Sequence, residues 1–130
     1  MRRKLVLILA FCMIAISAIC QKPSKEEFFR VCDSLKIHNK EVVWAQARLE
    51  SGNFTSAHFK NRNNCLGIYD SKNHRYASFA SWEDCVAAYK NKVQYRCPSE
   101  NYTNDEYISW LIKIGYAQDP NYRSKIKKMM

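Results

Sequence analysis

No CxxC or HxxxH pair occurs in this chain, and its three histidines are dispersed, so the spacings that usually build a metal site are missing. Nothing calls for an organic cofactor either, and none is expected. Internal repeats, low-complexity stretches and linkers are also lacking, which points to one domain. Basic residues are scattered apart from Lys125, Lys127 and Lys128 at the end of the chain. Without a clustered basic-aromatic stripe, a nucleic-acid partner is not expected. The one long apolar run, Leu5 to Ile16, is short for a membrane span and has no basic flank on its far side, so no stable span is expected.

What that run does fit is a secretory signal. Arg2, Arg3 and Lys4 form a charged start, and Ser17-Ala18-Ile19-Cys20 a small-residue exit, so residues 1–20 read as a signal peptide and residues 21–130 as the domain. The expected location is exported, either periplasmic or secreted. A rival reading lipidates Cys20, but Ile19 is larger than the residue normally found before a lipidated cysteine. Three of the 21 basic residues and no acidic one lie in residues 1–20, leaving 18 basic against 12 acidic residues and a formal charge of +6. A basic exported protein suits an anionic partner such as a cell wall.

Four cysteines remain after residue 20: Cys32, Cys65, Cys85 and Cys97. An even number in a small exported domain reads as two disulfides. Joining Cys85 to Cys97 is disfavoured if one helix links them, because twelve helical residues span roughly 18 Å, while a disulfide needs Cα atoms about 4.4–6.8 Å apart. Two pairings stay open: Cys65–Cys85 with Cys32–Cys97, which is preferred, or Cys32–Cys85 with Cys65–Cys97.

Helix starts are legible. Ser24, Ser81 and Thr103 each precede an acid three residues on, as in a capping box. Asn39 fits a cap for the next helix, and Asp119-Pro120 fits a cap followed by Pro at the first helical position. Helices are expected near 25–36, 40–51, 82–95, 104–114 and 120–128, with Gly52 and Gly115 as stops. Leu66 to Tyr69 and Arg75 to Phe79 read as a short hairpin. The fold class is therefore mainly α, with one short β-hairpin arm.

Within this pattern one residue is out of place. Glu50 closes the helix that carries Val42, Val43, Ala45 and Leu49, two residues before Gly52. Apolar neighbours and the negative end of the helix dipole both favour its protonated form. A carboxyl that stays protonated near neutral pH is what donation of a proton to a glycosidic oxygen requires.

Four segments stand in order around that residue: Gln46-Ala47-Arg48-Leu49-Glu50-Ser51-Gly52, Asn63-Asn64-Cys65-Leu66-Gly67-Ile68, Tyr76-Ala77-Ser78-Phe79 with Trp82-Glu83, and Gly115-Tyr116-Ala117-Gln118-Asp119-Pro120-Asn121-Tyr122. Together they resemble the endo-β-N-acetylglucosaminidase domain of bacterial peptidoglycan hydrolases, as in autolysins and the flagellar wall-clearing hydrolase. The resemblance runs from about residue 25 to 128. It implies a lysozyme-like fold with a glycan groove between the helical body and the arm. It further implies cleavage of the β-1,4 bond between N-acetylglucosamine and N-acetylmuramic acid, with Glu50 as general acid. Asn63 and Asn64 would hold the start of the arm and line the groove, and Tyr116 would face the reacting sugar from across it.

Cys65-Leu66 stands where a Leu-Phe pair is common in the family, and the arm is very short. Many relatives carry a second carboxylate there, where this chain offers only Asp70. Asp70 and Asp119 are the candidates for the second catalytic group, each with an ordinary structural use in a turn or a cap. The substrate's own 2-acetamido oxygen is the third candidate. Lys60, Arg62 and Arg75 are expected near the groove, facing an anionic wall polymer. The expected partner is the peptidoglycan glycan strand, met by a monomer. A lytic transglycosylase and a catalytically silent wall-binding module are the alternative functions.

Overall fold

The computed structural model describes residues 21–130. The expected signal segment and Cys20 lie outside the described residues. Six α-helices and one two-stranded hairpin follow in the order α1 (Lys25–Ser34), α2 (Lys40–Glu50), α3 (Ala57–Arg62), β1 (Tyr69–Asp70), β2 (Arg75–Tyr76), α4 (Trp82–Lys92), α5 (Asn104–Lys113) and α6 (Tyr122–Met129). A 3-10 turn over Gln94–Arg96 continues α4. No helix among the described residues is long and apolar enough to cross a membrane.

Three of the expected caps form. Ser24 Oγ accepts from Glu27 N at 3.1 Å and Ser81 Oγ from Asp84 N at 3.2 Å. At Thr103 the bond is reciprocal, because Glu106 Oε1 also accepts from Thr103 N. The other two expectations need correction. Asn39 does precede α2, but it has a left-handed backbone and makes no side-chain cap. Its Nδ2 reaches forward to Tyr102 O and Asn104 Oδ1, tying the start of α2 to the start of α5. Asp119 does not cap α6 directly. Its Oδ1 accepts from Asn121 N at 2.8 Å, which makes a turn, and the helix begins only at Tyr122.

Helix α2 is the axis of the molecule. The sequence suggests a one-sided apolar stripe, yet every residue from Val42 to Ala47 is buried, including Trp44 and Gln46. Such a helix lies inside a domain with neighbours all round, and α1, α5 and α6 surround this one. Phe28 of α1 sits between Trp44 (ring centroids 5.2 Å) and Trp82 (5.6 Å, stacked). This joins α1, α2 and α4 in one aromatic cluster.

Gln46 is the polar exception in that core, and it is fully paired. Its Oε1 accepts from Tyr89 Oη at 2.6 Å, and its Nε2 donates to Tyr122 Oη at 3.1 Å. Tyr89 Oη also lies 2.6 Å from Tyr107 Oη, which accepts from Gln94 Nε2 at 3.0 Å. A single polar network thus links α2, α4, α5 and α6 through the interior. Among the described residues no buried side-chain polar atom lacks a partner, as burial of polar groups requires.

No disulfide is found among the described residues, so neither expected pairing is shown. Cys65 and Cys85 nonetheless meet, since hydrogen bonds from the Cys65 thiol favour the charged form of Cys85 and lower its pKa. That contact matches one half of the preferred pairing. Cys97 instead bonds Ser99 O at 3.2 Å, and burial pushes the Cys32 thiol up to about 12.

Candidate active site

Glu50 is the last residue of α2. Beyond it the chain turns sharply: Gly52, Asn53 and Phe54 all take left-handed backbone conformations. Buried Ser51 braces the turn, donating to Ala47 O at 2.5 Å and accepting from Phe54 N at 2.8 Å. The helix end is therefore fixed on both sides, and Glu50 does not stand on a fraying turn.

The arm lies over that carboxyl. Asn64, fully buried, is its clamp: Nδ2 donates to Ile68 O (2.7 Å) and Ala77 O (3.0 Å), and Oδ1 accepts from Ile68 N (3.0 Å). Asn63 fastens the return of the arm, donating to Phe79 O at 3.0 Å and Ala80 O at 3.3 Å. Pairing is short, Tyr69 with Tyr76 and Asp70 with Arg75, so these two side chains do most of the work of closing the loop. Gly67 brings the backbone against Glu50. Its φ is +64°, and a Cβ built there would lie 2.9 Å from Glu50 Oε2. Any side chain at this position would push the carboxyl away.

Between arm and body lies a cavity of about 290 Å³, lined by Glu50, Gly67, Ile68, Tyr69, Lys92, Val93, Arg96 and Tyr116. Two other hollows, a larger one of about 410 Å³ beside α5 at Trp110 and a smaller one of about 180 Å³ beside His38 and Cys97, contain neither Glu50 nor Tyr116. Burial raises the Glu50 pKa, because desolvation disfavours the charged carboxylate. Among the described residues no donor bonds its carboxylate. Tyr116 donates from Oη to Leu66 O at 2.5 Å, so its hydroxyl holds the arm while its ring forms the cavity wall. The ring rests edge-on against Tyr89 and tilted on Tyr122, which connects the wall to the interior network.

Of the residues expected at the site, the structure brings Glu50 and Tyr116 together and leaves the rest outside. Asn64 does not line the groove, because it is buried within the arm it clamps. Asn63 is likewise occupied with the arm and is not a cavity residue. Asp70 sits at the hairpin turn, where Asn73 donates to both carboxylate oxygens and holds its pKa below the usual value. Asp119 is held by Lys125 and the Asn121 N–H, which lower its pKa in the same way. Neither acid is among the residues lining the cavity. Lys60, Arg62 and Arg75 do not line it either, and Arg62 is bonded to Tyr76 O and Ser78 Oγ.

The cations that do face Glu50's cavity are Lys92 and Arg96, which no motif or spacing singles out. They stand four residues apart where α4 passes into the 3-10 turn, and only the folded chain places that junction beside the arm. Gly67 was visible within its motif, but its contact with Glu50 depends on a residue seventeen positions earlier.

A helical body carrying a small antiparallel arm beside a cleft is the lysozyme-like class of fold. The chain belongs to the glucosaminidase family, described as mannosyl-glycoprotein endo-beta-N-acetylglucosaminidase, whose model matches residues 25–130. It is accordingly a glycoside hydrolase of the peptidoglycan-cleaving kind. Searches among curated proteins and solved structures found no match to the chain.

Proposed function

We propose that the protein hydrolyses the β-1,4 bond between N-acetylglucosamine and N-acetylmuramic acid, with Glu50 as the general acid. The observation that carries this reading is a carboxyl made more basic by burial, on the wall of the one described cavity that also holds Tyr116. Protonated Glu50 gives its proton to the glycosidic oxygen as the bond from C1 to that oxygen breaks.

A second carboxylate usually completes such a site. Asp70 and Asp119 are engaged elsewhere, and Glu50 is the only acid among the cavity residues described. This favours the substrate's own 2-acetamido oxygen as nucleophile. It would bond to C1 as the leaving sugar departs with Glu50's proton, giving a cyclic oxazolinium. Water then attacks C1, the C1–oxygen bond of that ring reopens, and the Glu50 carboxylate takes the water's proton. Two displacements at C1 return the β configuration.

The test compares Glu50→Gln, Asp70→Asn and wild type on N-acetylated and on N-deacetylated glycan. On this account Glu50→Gln loses about 10²–10⁴-fold in kcat, Asp70→Asn turns over normally, and deacetylated glycan is not cut. An Asp70→Asn variant as inactive as Glu50→Gln would remove the acetamido mechanism. Export of the protein, by way of residues 1–20, belongs to the same reading and is supported by the wall location of the substrate.

A further inference from the structure

The cavity has an unusual charge balance for a site whose reaction needs an acid. Opposite Glu50 stand two cations, Lys92 and Arg96, both exposed to solvent. Neither forms an ion pair within 4.0 Å or a side-chain hydrogen bond among the described residues. The acid that feels Lys92, Asp70, is already held through both oxygens by Asn73. Arg62, by contrast, has two acceptors on the arm. Lys92 and Arg96 therefore support the fold through no described bond, yet they share the cavity with Glu50.

Two unpaired cations four residues apart, beside the exposed ring of Tyr69, make a surface for a carboxylate carried on a sugar. An ordinary N-acetylglucosamine polymer is neutral and gives them nothing to bind. A glycan with a carboxylate on alternate sugars does, either as the lactyl ether acid of the bare strand or as acids of a peptide stem attached there. We infer that Lys92 and Arg96 form an anion subsite that selects acid-bearing glycan over neutral N-acetylglucosamine polymer. The inference rests on the proposed groove being the glycan site, and it adds the basis of selectivity.

Binding can be separated from cleavage by working in the Glu50→Gln protein. Calorimetry would compare three ligands: a neutral N-acetylglucosamine tetramer, a peptide-free tetrasaccharide bearing lactyl carboxylates, and the same tetrasaccharide with its stems. The expected result is tighter binding of an acid-bearing ligand, with added salt reducing the preference. Lys92→Gln with Arg96→Gln should cut the ratio of anionic to neutral affinity about tenfold, as two modest ion pairs allow. Lys92→Arg with Arg96→Lys should restore most of it. Lys60→Gln, an exposed cation outside the cavity, should leave the ratio as it was. Preference for the peptide-free ligand identifies the lactyl acid as the recognised group, and preference for the stem-bearing ligand identifies the peptide acids. A parent protein with no preference, or a ratio untouched by the double substitution, overturns the inference. An inactive wild type would instead strike the proposed reaction, and the binding ratio reads independently of it.

Discussion

Glu50 and Gly67 act as one unit, because the missing side chain of one is the space occupied by the carboxyl of the other. Burial gives Glu50 a folded-state pKa above its unfolded value of about 4.5. Between those two values the native chain holds more protons than the unfolded one, so stability falls as pH rises through that window. Glu50→Gln should therefore be more stable than wild type at neutral pH, and the difference should shrink below about pH 4.5, as chemical denaturation at several pH values would show. With Glu50 as the proposed general acid, activity should decline along the same alkaline limb, because a general acid must be protonated to donate. Gly67→Ala joins a steric conflict with Glu50 to a left-handed backbone, which costs about 1–2 kcal/mol by itself. Thermal melts should show that loss. Turnover should fall further than stability accounts for, since Glu50 has to move.

At the scale of elements, the arm is a hairpin of only two residues per strand, too little to hold itself in water. Asn64 supplies what the strands do not. Asn64→Ala leaves Ile68 N and Ala77 O without their side-chain partner, while Ile68 O keeps only Ala77 N, and should cost about 2–4 kcal/mol with loss of activity. Thr103→Ala removes a helix cap remote from the cavity and should cost about 1 kcal/mol with turnover unchanged. The contrast between these variants separates damage to the arm from general destabilisation. It also marks what could be read in the sequence. Caps at Ser24, Ser81 and Thr103 are local, and their chemistry lies within four residues. The Asn63-Asn64 pair was legible as the root of the arm, but not Asn64's burial, which depends on Ala77 folding back. Helix α3 was missed because its six residues, Ala57–Arg62, carry no clear apolar period, although Ser56 does cap it.

Across the whole molecule, one polar network runs from Gln46 through Tyr89 and Tyr107 to Gln94, with Tyr122 on its other side. Gln46 lies one turn before Glu50 on α2, so the network fixes the rotation of the helix that aims the acid. Gln46→Leu keeps the volume but strips Tyr89 and Tyr122 of a buried partner, and should destabilise by about 2–4 kcal/mol. Denaturant melts would measure it, and a KM and kcat that both worsen would report misplacement of α2. The apolar faces of these helices were visible residue by residue. That α2 would be enclosed, and that the network would lie behind the cavity, follows only from how six helices pack. The site shows the same division: Glu50 was marked by its odd place in a helix, while Lys92 and Arg96 reach its cavity only through the fold.

The central claim is that this cavity cuts glycan by hydrolysis, with Glu50 as its acid. Mass spectrometry of peptidoglycan digested by the purified protein, with Glu50→Gln beside it, tests that claim most directly. The account predicts new N-acetylglucosamine reducing ends from the wild type and none from the variant. Anhydro-muramyl ends, intact glycan, or equal products from Glu50→Gln would contradict it.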